Sequence, residues 1–438
     1  MIKRFIYFLV IAFIGAISYA CKSTNNEGEG PKHVQLEQTN GNYSLSVDGE
    51  PFYVKGAGCE FGNIESLARH GANSFRTWRT ENGQQSAQDI LDEAKRHGLL
   101  VCMGLEIGRE RHGFDYNDDE AVEKQFEYIK AEVLKYKDHP ALLTWGIGNE
   151  LNLNSSNSKV WKAVNDISKM IHKLDTNHPT TTMLAGFSKE LGDELAEQAG
   201  DLDFLSFQFY ADIINLPKYI KQAEYKGAYL VTEWGATGHW ESPTTDWGRP
   251  LEQNSYDKAN SYHFRYENVI APDHAQCIGS YVFLWGQKQE RTPTWYGMFL
   301  ENGDETATVD VMHYIWNSEW PENRTPKMES LTMNDLFAGA NIKLAPKASC
   351  WAEVKVSEPD GDDMTIHWEI IQEVPEDQQS DGGDFEARQE TILSSFVNLT
   401  ENKIEFTGPG NAGEYRLFVY VSDGKGHSAT ANIPFLVK

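Results

Sequence analysis

Residues 142–150 read LLTWGIGNE, and residues 228–235 read AYLVTEWG. Both are short apolar runs of the kind that forms strands buried on both faces of a parallel sheet. Each run contains an acid near its end, Glu150 in the first and Glu233 in the second. A carboxylate at the end of a buried strand is unfavourable unless it is paired or functional. The two stretches therefore predict a parallel sheet with functional acids at its carboxyl ends.

The rest of residues 43–320 repeats this alternation of apolar runs and amphipathic segments. The apolar runs are one ending near Gly58 and those at 72–78, 99–106, 142–150, 181–187, 202–210, 228–234 and 278–285. Helical periodicity marks residues 85–97, 119–136, 160–174 and 190–199. Eight strands alternating with helices predict an α/β fold, the (β/α)8 TIM barrel. A doubly wound open sheet is the alternative, disfavoured because no glycine-rich phosphate loop follows the first strand.

The end of the chain has strand patterning without helices. Residues 321–334 contain prolines and many polar residues and are predicted to be a linker. Residues 335–438 alternate apolar and polar positions between turn clusters, which predicts an immunoglobulin-like β-sandwich. Tyr415 resembles the tyrosine corner of such domains, and Trp368 is a candidate core tryptophan. We expect this domain to be a structural spacer, with glycan binding by the sandwich as the alternative.

The first residues resemble a targeting signal. A basic start precedes an apolar run over residues 5–17, too short to cross a membrane, so residues 1–20 are predicted to be a signal peptide. The small residue before Cys21 resembles a bacterial lipobox, in which the cysteine receives a lipid. Residues 21–42 are then a flexible tether. The expected location is outside the cytoplasm, lipid-anchored to the outer membrane; simple secretion with a chance cysteine is the alternative.

Composition limits the partners and cofactors. The chain has 65 acidic and 39 basic residues and a formal net charge of −26, which repels polyphosphates and argues against a nucleic-acid partner. A neutral substrate fits this field. The remaining cysteines show no metal-ligand spacing and are predicted to be buried free thiols: Cys59, Cys102, Cys277 and Cys350. We expect no metal and no cofactor.

The two acid-terminated strands resemble clan A of the glycoside hydrolases, whose members are TIM barrels. The resemblance rests on Asn149-Glu150 in the fourth strand together with Glu233 in the seventh, and it covers roughly residues 43–320. It implies a retaining glycosidase acting on a polysaccharide or oligosaccharide, with Glu150 as acid/base and Glu233 as nucleophile. Such double displacement uses two carboxyl groups about 5–5.5 Å apart.

Further residues fit the same resemblance as substrate-site residues. Arg76 matches the clan's arginine beneath the nucleophile, Tyr210 a tyrosine that hydrogen-bonds the nucleophile, and Trp285 the aromatic floor of the sugar subsite. Asn149 is expected to bind the sugar 2-hydroxyl. Gln208 departs from the pattern, because many members have His or Asn there; this leaves the contacts on the leaving-group side open.

Three more residues at strand ends or loops are predicted to bind substrate. Trp78 ends the second strand, Glu106 ends the third, and Trp240 lies in the loop after the seventh. The alternative for Glu106 is a salt bridge with Arg109 or Arg111. The alternative for Trp240 is packing within its loop.

The domain order narrows the expected substrate. A barrel followed by one immunoglobulin-like domain on a lipoprotein is similar to glycoside hydrolase family 158, whose activity is endo-β-1,3-glucanase. Residues 51–56 also resemble the opening of fungal β-1,3-glucanosyltransferases. Endo-action on β-1,3-glucan is therefore expected. The alternatives are an exo-acting β-glycosidase similar to family two, a β-mannanase, and a non-catalytic surface glycan-binding lipoprotein.

Overall fold

The computed structural model describes residues 30–380, 382–392, 396–400 and 402–438. Cys21 and the predicted signal peptide lie outside these ranges. Within them, no helix combines the length and the apolar character that crossing a bilayer requires.

A small antiparallel sheet precedes the barrel and closes one of its ends. Its strands are β1 (Val34–Thr39), β2 (Asn42–Val47) and β3 (Glu50–Phe52). Val34 and Leu45 are buried in one cluster with the barrel residues Val54 and Leu230. Residues 34–39, predicted as part of a tether, are thus a strand, because their apolar side chains cover the open end of the barrel core.

Eight parallel strands form the closed barrel that the sequence predicts. They are β4 (Val54–Gly58), β5 (Ser74–Arg76), β6 (Leu100–Leu105), β7 (Leu142–Asn149), β8 (Thr180–Ala185), β9 (Leu205–Gln208), β10 (Tyr229–Glu233) and β11 (Cys277–Val282). Parallel pairing of β11 with both β4 and β10 closes the ring. Every residue of β7 and β10 is buried, as expected for strands covered on both faces.

Helices surround the barrel and cover its outer face. They are α1 (Ile64–Arg69), α2 (Ala87–Arg96), α3 (Asp119–Tyr136), α4 (Lys159–Leu174), α5 (Lys189–Gln198), α6 (Leu216–Gln222), α7 (Ser255–Arg265) and α8 (Ala307–Asn317). The helices predicted from periodicity match α2 to α5 within two residues at each end. In α2, the apolar positions Ile90, Leu91 and Ala94 are buried, and Ser86 and Asp89 form a capping box at its start.

The C-terminal domain is the predicted β-sandwich. One sheet contains β12 (Lys327–Met333), β14 (Ser349–Ser357), β17 (Phe396–Thr400) and β18 (Lys403–Thr407); the other contains β13 (Lys343–Leu344), β15 (Thr365–Gln372), β16 (Thr391–Ile392), β19 (Gly413–Ser422) and β20 (Ser428–Val437). The Tyr415 hydroxyl donates to the Asn411 carbonyl at 3.1 Å, and Trp368 is buried, which confirms both sequence predictions. Because β12 pairs with β14, the sandwich begins inside the predicted linker.

Buried polar contacts hold the sandwich against the barrel. Arg416 of β19 donates to Glu373 at 2.8 Å, to Asn432 at 2.8 Å and to the Pro250 carbonyl at 2.9 Å. Asn432 in turn donates to Glu252 of the barrel at 2.6 Å. Removing one partner from such a buried network strongly destabilises the fold, because a charged group is left buried and unpaired. The network therefore fixes the position of the sandwich on the barrel.

The four cysteines of the described chain are buried and form no disulfide, which confirms the prediction of free thiols. Burial raises the pKa of the thiols of Cys59, Cys102 and Cys277 to about 12. Thiolate chemistry is therefore disfavoured at neutral pH.

Candidate active site

The end of β7 has an unusual backbone conformation that positions its acid. Gly148 has a φ of +72° and Glu150 a φ of +52°. A Cβ on Gly148 would lie 2.6 Å from a methyl carbon of Leu151, so glycine fits this position on both counts. The Glu150 N–H donates to the Met183 carbonyl at 2.9 Å, which holds the left-handed conformation. Backbone strain of this kind in a non-glycine residue is concentrated at functional sites.

Four hydrogen-bond donors surround the carboxylate of Glu233 at the end of β10. Arg76 Nη1, Trp78 Nε1 and Gln208 Nε2 each donate to Oε1 at 3.0 Å. The Tyr210 hydroxyl donates to Oε2 at 2.9 Å. Arg76 and Glu233 are both buried, so their ion pair is shielded from water and salt. These donors stabilise the negative charge of Glu233 and fix its orientation.

The Asn149 side chain is held by the same donors. Its Oδ1 accepts from Arg76 Nη2 at 2.7 Å and from Gln208 Nε2 at 2.8 Å. Both donors fix the carbonyl end of the amide, and within the described chain the Nδ2 group donates to no protein atom. Asn149 lines the open cleft, so this amide N–H group is available to a ligand. Gln208, the departure from the clan pattern, thus bridges Asn149 and Glu233.

Glu150 lies beside Glu233 and differs from it in its surroundings. Desolvation and the neighbouring charge of Glu233 raise the pKa of Glu150 to about 8, although Arg109, Arg111 and Arg76 oppose the shift. A carboxylic acid kept protonated near neutral pH can donate a proton. The two acids are therefore prepared for different roles, one as a proton donor and the other as an anion.

These residues line one cleft of about 820 Å³ at the carboxyl end of the barrel strands. Glu106 is exposed in this cleft and forms no ion pair within the described chain. The alternative of a salt bridge with Arg109 or Arg111 is therefore not observed. Trp240 also lines the cleft, with 59% of its surface exposed. Trp78 lies at the cleft too, but its indole N–H is donated to Glu233, so it supports the carboxylate directly.

Trp285 is among the residues that line the cleft, but its ring is not exposed there. Its side chain is fully buried, packs against Phe299 and Trp316, and donates its indole N–H to the Asn63 carbonyl at 3.1 Å. Phe283 packs instead among the aromatic rings at the cleft, with centroids 5.9 Å from those of Trp78 and Tyr210. Phe283 is thus an aromatic residue of the cleft lining that sequence reasoning missed; its position in the run 278–285 was the available signal.

A second groove of about 1000 Å³ lies between α1, α8 and the sandwich. Its buried acid, Glu305, is paired with His70 at 3.2 Å and His427 at 3.4 Å, and hydrogen bonds to both histidines hold its pKa low. Over the described ranges, no group of three or more His, Cys, Asp or Glu side chains is arranged to hold a metal ion. The buried acid of this groove is thus held as a paired carboxylate, and the Glu150–Glu233 cleft is the better candidate for proton transfer.

Comparison with known proteins gives distant similarities. No family model matches the chain. Among curated proteins, mannan endo-1,4-beta-mannosidase F of Aspergillus clavatus is 26% identical over 158 residues. That alignment covers 30% of this chain and 36% of the relative, so the chain matches about a third of the relative's length.

Solved structures share the fold at low sequence identity. The beta-D-glucuronidase of Dictyoglomus thermophilum has a TM-score of 0.52 at 17% identity, covering 66% of this chain and 54% of that one. A calcium-binding mutant of Bacteroides uniformis beta-glucuronidase 2 has a TM-score of 0.52 at 12% identity, covering 92% of this chain and 48% of that one. The comparisons confirm the barrel fold and agree with the broad glycoside hydrolase resemblance, whereas none of them supports the narrower resemblance to family 158.

Proposed function

We propose that the chain is a retaining hydrolase of β-glycosidic bonds in a polysaccharide. The observation that carries the proposal is the Glu150–Glu233 pair, in which one acid has a raised pKa and the other is an anion held by four donors. The mannan endo-1,4-beta-mannosidase among the sequence relatives supports a glycosidase activity.

The proposed reaction has two displacements at the anomeric carbon. A Glu233 oxygen bonds to this carbon as the glycosidic C–O bond breaks, and the leaving oxygen takes the proton of Glu150. The Glu150 carboxylate then takes a proton from water, whose oxygen bonds to the anomeric carbon as the Glu233 ester breaks. Because Glu233 is neutral in the ester, the pKa of Glu150 falls in the intermediate, which suits its change from acid to base.

The neighbouring side chains fit defined parts of this reaction. Arg76 and Tyr210 orient Glu233 and stabilise its charge before attack and after release. The Asn149 amide N–H group would donate to the 2-hydroxyl of the sugar, a contact that strengthens in the transition state. Gln208 holds Asn149 and Glu233 in one arrangement.

The alkaline limb of activity is expected to follow Glu150. Activity needs Glu150 protonated, so kcat/KM should fall as the pH rises through its raised pKa, near 8 rather than the ordinary 4.5. Fluoride departs from a glycosyl fluoride without protonation by Glu150. The alkaline limb measured with that substrate should therefore lie at a higher pH. Measured pH profiles of kcat/KM for both substrates test this. A limb at one pH for both would assign it to another group.

The proposed substrate is a neutral β-linked polysaccharide, which the enzyme cleaves at internal glycosidic bonds. Acidic residues outnumber basic ones in the cleft lining, as they do in the whole chain, which disfavours anionic sugars. β-1,3-glucan is the substrate favoured by the opening segment and the domain order. β-Mannan is the second candidate, favoured by the mannanase among the sequence relatives.

The test is product analysis with laminarin, mannan, mixed-linkage glucan, cellulose and galactan. Short β-1,3-linked or β-1,4-mannose-linked oligosaccharides would identify the substrate, and single sugars alone would indicate exo-action. Proton NMR of the first product should show the β anomer before mutarotation; the α anomer would contradict the two-displacement mechanism. Binding without release of any product would favour the non-catalytic alternative.

We further propose that Cys21 carries a lipid that anchors the protein to the outer membrane. The sequence around Cys21 supports this proposal. When cells expressing the full chain are grown with radiolabelled palmitate, the protein should become labelled. The Cys21→Ala variant should lose both the label and the membrane association. Equal labelling of the variant would contradict the anchor.

A further inference from the structure

A loop of the C-terminal sandwich forms one wall of the cleft. Residues 382–388, between β15 and β16, line the same cavity as Glu150 and Glu233. The sequence predicted a structural spacer for this domain. The structure differs, because the network around Arg416 fixes the sandwich where its loop reaches the barrel mouth.

Ion pairs anchor this loop on both sides of Phe385. Asp384 accepts from His112 at 2.9 Å and lies 3.7 Å from the Arg111 guanidinium. Glu386 is buried and accepts from the Arg291 backbone N–H at 2.6 Å and from its guanidinium at 2.8 Å. The backbone on either side of Phe385 is thus held by charged barrel residues.

Phe385 itself is 90% exposed between these anchors. An isolated exposed aromatic residue needs no explanation. Phe61 and Trp240, however, are 58% and 59% exposed and line the same cleft. Exposed rings grouped at a polar cleft suit the apolar C–H faces of sugar rings.

The anchors also indicate which part of a glycan each ring would meet. Trp240 packs 5.3 Å from Tyr210, which donates to Glu233, so it lies on the Glu233 side. The barrel residues that contact Asp384 follow β6 in the chain, and one of them is Arg109. Arg109 donates to the Asn149 carbonyl at 3.2 Å, and Asn149 directly precedes Glu150. Phe385 therefore lies on the Glu150 side, where the proton donor faces the leaving group.

We propose that Phe385 is a specificity-determining residue that binds a neutral sugar on the leaving-group side of the scissile bond. The proposal rests on the glycosidase function above. It gives the sandwich a direct part in substrate binding and explains why an exposed ring is held by two buried or half-buried ion pairs.

The test compares Phe385→Ala with wild type on laminarihexaose and mannohexaose and on a glycosyl fluoride, which has no leaving-group sugar. We expect the ratio of kcat/KM for the cleaved hexasaccharide to that for the fluoride to fall about tenfold. Phe385→Trp should keep the wild-type ratio. Phe337→Ala is the matched control, because Phe337 is 62% exposed on the same domain and lies outside the cleft lining.

Binding gives an independent readout. In a Glu150→Gln background, calorimetry should show weaker hexasaccharide binding when Phe385→Ala is added, and no change with Phe337→Ala. If Phe385→Ala changes neither the kcat/KM ratio nor the hexasaccharide affinity of an active enzyme, the proposed role of Phe385 is overturned. The proposed glycosidase function would still stand. A wild-type protein that neither cleaves nor binds any glycan tested would overturn both this proposal and the proposed function.

Discussion

Glu233→Gln is expected to lower kcat/KM by at least about 10⁴-fold, since the amide cannot form the covalent intermediate. The amide oxygen can still accept from Arg76, Trp78 and Gln208, and the Tyr210 hydroxyl can rotate to accept from the amide N–H group. The folded site should therefore persist. Steady-state kinetics on the substrate found by product analysis, with circular dichroism of the same sample, measure both effects.

Two controls separate chemistry from structure in this experiment. Glu106→Gln replaces an exposed acid of the same cleft and should reduce activity far less. Titration of Glu150 by NMR in the Glu233→Gln variant should show a lower pKa, because the neighbouring negative charge that raises it is gone. Residual activity within tenfold of wild type would contradict the role of Glu233.

Glu150→Ala is expected to lower kcat/KM on an unactivated glycan by roughly 10²–10⁴-fold, the usual contribution of a general acid. A dinitrophenyl β-glycoside does not need protonation, so its kcat/KM should stay near that of wild type. The second step then lacks its base, and a burst of dinitrophenol should precede slow turnover. Rapid-mixing absorbance measures this burst.

Azide distinguishes the two proposed roles through the stereochemistry of its product. With Glu150→Ala it should attack the glycosyl–enzyme intermediate, restore turnover and give a β-glycosyl azide. With Glu233→Ala it can only replace the missing carboxylate, which gives the α-azide. NMR of the two products would support the assignment, and the opposite pattern would exchange the roles.

Much of the site could be predicted because its residues end barrel strands. Arg76, Asn149, Gln208 and Glu233 are the last residues of β5, β7, β9 and β10. The carboxyl ends of parallel strands meet at one end of a barrel, so an unusual residue at such an end is predicted to lie near the others. The acid pair followed from the sequence for this reason.

Prediction was incomplete where the chain leaves the strands or where residues of two domains meet. Trp285 lies three residues beyond the end of β11, where the alternation of strand positions no longer fixes side-chain direction. Its ring is fully buried against Trp316, although the residue lines the cleft. The bridging role of Gln208 depends on the register between β9 and β10. Neither is set by local sequence pattern.

The sequence by itself determined the barrel, the sandwich and the acid pair, because hydrophobic periodicity and strand-end residues are local properties of the chain. Only the tertiary structure decided that β1 covers the barrel end and that the sandwich loop carrying Phe385 lines the cleft. Those contacts join residues far apart in sequence, such as His112 and Asp384. Their formation depends on how the two domains pack, which the buried network around Arg416 fixes.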